Sequence, residues 1–374
     1  MTGYIGNAPT ALPLASTDLA DGIVTNSKLS TGSQQNFRNI IINGDMSQSQ
    51  HGISASSVST TGVYTVDRIK LAISSLGTWT QSQSTDVPTG QGFTSSFKMD
   101  CTTADASPSA SDYVIIQQLI EGQNLQYLKK GTANAESLTL SFWVKSNKTG
   151  TYTAELFDTD NTRTINKSYT ISSASTWEKK TITFDGDTTG AFNNDNLTSL
   201  EVNFWLGAGT TWSSGTLQTS WGSGVSANRA VGNVNLADST DNEWYVTGVM
   251  LESGTVASSF ETLPSDINLM RCQRYFQTYT QPPLRGVINA ANSLGRAGMV
   301  LPVPMRSAPT ASSGALPVFD GASTSTVSSI ATSYTTTHKV EFDMTLASSV
   351  MVLGRAGIVF QQGGSETLTL SAEL

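Results

Sequence analysis

The chain has 374 residues, of which 38% are hydrophobic and 13% charged, and a formal net charge of −8. Length and apolar content suffice for about two or three folded domains. They exclude a wholly disordered chain, while the acidic balance without a basic stripe argues against a nucleic-acid-binding surface.

Ser, Thr, Asn and Gly fill the polar positions, and the charged share is about half the usual ~25%. No apolar run approaches the roughly 20 residues of a membrane span, so no membrane insertion is expected. The opening MTGYIGNAPTALPLAS has neither the basic start nor the apolar run of a secretion signal, and the expectation is a protein made in the cytoplasm without an export address.

Residues 1–38 carry Pro, Gly, Asn and Ser at close intervals with few large apolar groups, so they read as an extended arm that makes no core alone. Residues 39–46, NIIINGDM, read as a strand ending in a turn. Short strand candidates then recur at 66–73, 79–84, 95–101, 113–120, 138–145, 152–158, 164–171, 178–185 and 200–206, separated by turn residues. The stretch 119–128 is a helical turn or bulge.

Residues 242–264 hold the closing strand, with Trp244, Val246, Val249 and Leu251 toward the core. Many short strands at this spacing predict a two-sheet sandwich or jelly roll over 39–264. After Pro264, Ser265 or Asp266 caps a short helix running into Tyr279. Residues 265–374 read as a smaller C-terminal β-sandwich domain, with strands near 284–289, 296–303, 316–320, 324–332, 338–346, 356–361 and 367–374. LGRAGMV at 294–300 is echoed by LGRAGIV at 353–359, which suggests two similar turn-into-strand devices, neighbours in one sheet or alike by chance.

The wording Gly3-Tyr4-Ile5-Gly6-Asn7-Ala8-Pro9, then Cys272-Gln273-Arg274-Tyr275-Phe276 and Pro304-Met305-Arg306-Ser307-Ala308-Pro309, resembles receptor-binding tail fibres and tail appendage proteins of bacteriophages. The order NGDM, IQQLIEG, LTLSFWVKS, STWEKKTITFDGD and WYVTGVMLESG is similar to galactose-binding-like jelly rolls carried by many fibres. The resemblance implies a virion protein, a homotrimer, attached through its arm to tail or adaptor proteins and carrying β domains toward a host surface glycan. Other readings are an adaptor, nozzle or capsid-decorating protein that binds only virion proteins, and a tailspike with depolymerase activity.

Catalytic motifs are missing. The two histidines, His51 and His338, lie in different predicted domains without partner ligands and read as exposed. No P-loop, dinucleotide fingerprint or nucleophile elbow appears. Glu155 with Asp158 and Asp160, or Asp185 with Asp187, are carboxylate groups of the kind that flank a sugar in a glycosidase, although turn chemistry explains them as well. Asn43, Asp45, Asp241 and Glu243 offer oxygen ligands for a structural calcium, again with turns as the simpler reading. The expectation is therefore a non-enzyme with no cofactor and no metal site. Cys101 and Cys272 read as buried free thiols.

Of seven tryptophans, Trp143, Trp205 and Trp244 are placed in the core, and Trp79 and Trp177 at strand starts, half buried. Trp212 and Trp221 stand in long Gly/Ser/Thr loops and are the candidate carbohydrate-binding residues, because indoles offer flat faces to sugar rings. The alternative for both is packing against the sandwich or a neighbouring subunit.

Overall fold

A computed structural model of the chain describes residues 37–280, 282, 284–290, 293–348, 351–359 and 367–374. The expected arm, 1–38, lies outside the described residues apart from Phe37 and Arg38.

Alternating apolar and polar residues bounded by turn residues give thirteen strands in the first part of the chain. They are β1 (Ser54–Val58), β2 (Gly62–Val63), β3 (Lys70–Ser74), β4 (Thr78–Ser84), β5 (Ser96–Thr103), β6 (Tyr113–Glu121), β7 (Leu138–Ser146), β8 (Gly150–Asp158), β9 (Arg163–Ile171), β10 (Glu178–Phe184), β11 (Thr198–Ala208), β12 (Gly222–Ser223) and β13 (Glu243–Ser253). Between β11 and β12 lies a single helical turn, α1 (Thr210–Ser213).

Two antiparallel sheets result. One has the spatial order β1, β4, β5, β13, β7, β10, and the other β12, β9, β8, β11, β6, β3, β2. Their inner faces meet in one core, where Phe142 of the first sheet lies edge-on to Phe204 of the second at 5.0 Å, and Phe204 touches Trp244 at 5.8 Å. Each fully buried aromatic or aliphatic side chain there contributes about 1.5–3 kcal/mol. This is the expected jelly-roll sandwich. The closing strand β13 is central to its sheet, pairing with β5 and β7, and carries a bulge between Thr247 and Met250 at which Gly248 has φ 61°.

Residues 39–46 differ from expectation. They form no strand but an irregular buried segment, because Asn39 spends its side chain on Ile41, Val249 and Leu251 instead of leaving its backbone to a ladder. A Cβ on Gly44 would come within 2.0 Å of the Val249 carbonyl oxygen, so only glycine lets this segment lie on β13. The interruption near 119–128 is a pair of 3₁₀ turns following β6.

Helix α2 (Ser265–Gln273) ends sooner than predicted, and the chain turns at once into β14 (Phe276–Tyr279). The strands β15 (Arg285–Ala290), β16 (Ser293–Val300), β17 (Thr310–Ser313), β18 (Pro317–Phe319), β19 (Thr324–Thr332), β20 (Lys339–Leu346), β21 (Ala356–Val359) and β22 (Leu368–Ser371) follow. The C-terminal part is not a sandwich. Strands β15, β16, β20, β19, β18 and β21 close into a barrel, because Arg285 and Val287 of β15 find partners on both β16 and β21. The echoed segments thus flank one shared strand. Outside the barrel, β14, β22 and β17 form a three-stranded platform whose middle strand shares the barrel's core through Leu368 and Leu370.

The platform is tied to the sandwich. Arg274 forks onto Glu121 at 2.8 and 2.7 Å, and the Tyr275 hydroxyl donates to the same carboxylate at 2.6 Å. Arg68 bonds Glu373 and stacks on Tyr275, while Leu374 packs with Ile42, Cys272 and Tyr275. His51 belongs to this joint and is not an exposed loop residue, since its ring stacks on Phe276 at 3.6 Å beside Glu373. His338 is exposed, as expected. Cys101 and Cys272 are buried and free.

Candidate functional site

The inner face of the seven-stranded sheet is apolar; its outer face is not. In a strand, residues two apart share a face, and the register aligns Lys70, Gln117, Asn203, Glu155 and Asn166 across five strands. Asn203, Glu155 and Asn166 in that row are fully buried. Such a row costs free energy unless something covers it and supplies hydrogen bonds. The cover is the long connection from β11 to β13.

The connection is laced to the sheet edge. Asn166 N donates to the Gln218 carbonyl at 2.8 Å, Gln218 Nε2 to the Thr164 carbonyl at 2.9 Å, and Val234 N to the Thr151 carbonyl at 2.9 Å. It delivers Arg229 onto Glu155, with Nε on one carboxylate oxygen at 2.6 Å and Nη2 on the other at 2.9 Å. Thr164, Asn203 and the Trp205 indole N–H complete the shell around Glu155. The guanidinium also lies over Phe157, Trp205 and Trp212, at 4.7, 5.2 and 5.5 Å from their ring centres. Burial opposes Arg229's charge, but Glu155 outweighs it and raises the guanidinium further above its ordinary range.

Glu201 stands on the same face, one row from Glu155. Burial pushes its carboxyl up, the Asn203 amide pulls it down, and the Glu155 charge pushes it up again, for a net rise. Both carboxylates accept from the single Asn203 NH₂ group, at 3.1 and 3.2 Å, while Asn203 Oδ1 is buried without a partner.

Trp212, on α1, is half buried at the end of this face. Its indole N–H donates to the Ser111 carbonyl at 3.1 Å, and its ring meets Tyr113 edge-on at 5.3 Å and Trp205 at 5.9 Å. Trp221 is elsewhere and shares none of these contacts. Its indole N–H donates to the Asp185 carbonyl at 2.7 Å, and it packs on the main core beside Lys130 and Phe192. The sequence thus named one residue of the outer face and one plug at the sandwich edge. Arg229, Glu201 and Tyr113 were missed; the signal available was Glu155, Asn203 and Trp205 alternating with apolar residues at strand spacing.

Other tryptophans moved as well. Trp143 is half buried on the outer face of its sheet, because Phe142 and Val144 take the inner positions. Trp205 is fully buried, but against the cover and not in the main core, whereas Trp79 is fully buried in that core.

The carboxylate groups singled out in the sequence are dispersed. Glu155 and Asp158 are three apart on β8 and so face opposite sides; Asp158 pairs with Lys130 at 2.5 Å, and Asp160 accepts from Asn193. Asp187 forks with Arg163 and meets Lys130 at 3.0 Å. The candidate calcium ligands are also apart, since the Asn43 amide donates to the Gln48 and Asp67 carbonyls, Asp45 accepts from Ser47, both accept from Asn268, and Glu243 pairs with Lys98. No cluster of three or more metal-ligating side chains occurs among the described residues.

No protein-family profile matches the chain, and no curated protein does. Solved structures share part of its course. The enzymatically active domain of bacteriophage CBA120 tailspike protein 4 aligns at 14% identity and a TM-score of 0.31, over 58% of this chain and 22% of that one. The chain therefore spans about a fifth of that tailspike. TmCBM61, in complex with β-1,4-galactotriose, aligns at 8% identity and a TM-score of 0.25, over 58% and 99% of the two chains. The family 11 carbohydrate-binding module of the Clostridium thermocellum cellulase Lic26A-Cel5E aligns at 11% and 0.26, over 58% and 96%. The jelly-roll assignment here rests on the two sheets and their shared core.

Proposed function

We propose that this chain is a non-enzymatic glycan-binding protein of a bacteriophage virion, a homotrimeric tail fibre that holds a host surface glycan at the part-exposed Trp212, where the cover over its seven-stranded sheet ends. The observation that carries the reading is the fixed, half-exposed Trp212 indole at one end of a polar row. An indole held in place by its N–H bond and by the rings of Tyr113 and Trp205 offers a rigid flat surface to the apolar face of a sugar ring. The virion context comes from the resemblance of the 3–9, 272–276 and 304–309 words to tail fibres.

Binding is favoured over hydrolysis by the state of Glu155. A nucleophile or general base needs a free lone pair facing substrate, and this carboxylate is buried under five donors. Release of reducing sugar from host glycan would move the reading to a depolymerase. Binding to tail proteins alone would move it to an adaptor.

The test is Trp212→Ala in the full chain, assayed on a glycan array and by adsorption to host cells, with solution mass by light scattering. Lost glycan binding at unchanged mass supports the reading. Unchanged binding and adsorption would sink it.

A further inference from the structure

A cavity lies away from the outer sheet face, where the 3₁₀ turns after β6 meet helix α2 and the start of the described chain. It measures about 330 Å³ and is lined in part by Phe37, Ile42, Ile120, Asn124, Tyr127 and Arg271. Two guanidinium groups border it, and they differ. Arg274 is spent on Glu121. Among the described residues the Arg271 guanidinium makes one hydrogen bond, from Nη2 to the Asn39 carbonyl at 3.2 Å, and no ion pair.

Glu261 is the carboxylate whose field Arg271 feels most, but its hydrogen bond goes to the Asn39 N–H. Burial lowers the Arg271 guanidinium from its ordinary value, and Glu261 offsets this only in part. A desolvated cation whose counter-charge is only partial gains from a ligand that brings a carboxylate into direct contact. The exposed Asn124 and Tyr127 side chains engage no described partner, and Phe37 is 65% exposed at the rim. The cavity therefore offers one open cation, two hydroxyl-bonding groups and aromatic walls.

We propose that this cavity binds a hydroxyl-bearing carboxylate the size of a single uronic acid, its carboxylate on Arg271 and its ring hydroxyls on Tyr127 and Asn124. A planar guanidinium fits a carboxylate by two parallel N–H donors, and a cavity of this volume suits a small polar ring. The site stands apart from Trp212 and does not depend on it.

The experiment titrates the full chain with D-glucuronate, using D-glucose, acetate and inorganic phosphate as parallel probes, by calorimetry or ligand-observed NMR. Glucuronate is expected to bind tighter than each control, to weaken by about tenfold or more in Arg271→Gln, as loss of a charge-assisted pair implies, and to weaken less in Tyr127→Phe. Tyr127 is 49% exposed, so its variant keeps the fold if Arg271→Gln does not. Trp212→Ala should leave glucuronate binding unchanged, which separates this site from the outer face. Equal binding of glucuronate and glucose, or of glucuronate and acetate or phosphate, overturns the proposal, as does unchanged affinity in both variants.

Discussion

Arg229 and Glu155, 74 residues apart in sequence, close on each other along one edge of the guanidinium, with Nε and Nη2 donating at 2.6 and 2.9 Å. The pair fastens the cover over the sheet. It also neutralises a carboxylate that no water reaches, so the cover and the polar row beneath it depend on one another.

Arg229→Ala is expected to cost about 3–5 kcal/mol, the usual penalty for leaving one partner of a buried pair uncompensated. Urea unfolding of the variant measures it. A double change that also makes Glu155 apolar should recover much of the loss, and a cost under about 1 kcal/mol for the single change would place the pair in solvent.

Glu201→Gln should stabilise the protein at neutral pH. The folded carboxyl has its affinity for the proton raised above the ordinary value of 4.5. The unfolded chain therefore releases its proton first as pH rises, and stability falls through the interval between 4.5 and the folded value. Melting curves at pH 7 should favour the variant, and the difference should vanish below pH 4.5, where both states hold the proton. Equal melting at both pH values would contradict the burial of Glu201.

The joint between platform and sandwich has the opposite pH dependence. Burial would raise Glu121, but hydrogen bonds from Arg274 and Tyr275 outweigh it; for Glu373 burial is outweighed by Arg68 and His51, so both carboxyls sit below 4.5. Their contribution is complete above 4.5 and is lost as pH falls through the folded values. Protection of β14 and β22 against hydrogen exchange should fall as pH drops below 4.5, ahead of the sandwich core. Arg274→Ala should move that onset to higher pH.

Trp221→Ala should lower stability by about 1–3 kcal/mol, as loss of a half-buried core plug does, and leave glycan binding intact. Measured beside Trp212→Ala, it separates the two loop tryptophans that look alike in sequence. Lost binding on Trp221→Ala at unchanged melting would return it to the recognition surface.

The sandwich was readable because its strands alternate and its turns are marked; β6 to β11 fall within a few residues of their expected places. The platform was not. Strands β14 and β17 are only four residues each and exist through pairing with β22, a partner distant in sequence. Barrel closure was equally hidden, since it is decided by which strand hydrogen-bonds the far edge of β15 and not by any pattern within β15. At the candidate site Trp212 stood out as an indole in a loop. Glu155 stood out only as a carboxylate grouped with Asp158 and Asp160, and Asn203 and Asn166 not at all, because polar residues at alternate positions read as a solvated face until a cover contributed from residues 209–234 is known.

The chain passes through the three-stranded platform at 276–279, again at 310–313 and finally at 368–371, and it builds the barrel in the two excursions between these visits. Ser371 faces both Phe276 and Thr310, so entry, mid-point and exit are held at one level of one small sheet. The barrel is in effect a cassette plugged into a fixed socket. Its distal loops can be lengthened, shortened or exchanged without rerouting the backbone through the joint, while a change in the socket strands disturbs every excursion at once. Substitution at Arg274, Tyr275 or the strand leading to Glu373 is therefore expected to loosen both excursions together, and change at the barrel's far end to leave the joint intact.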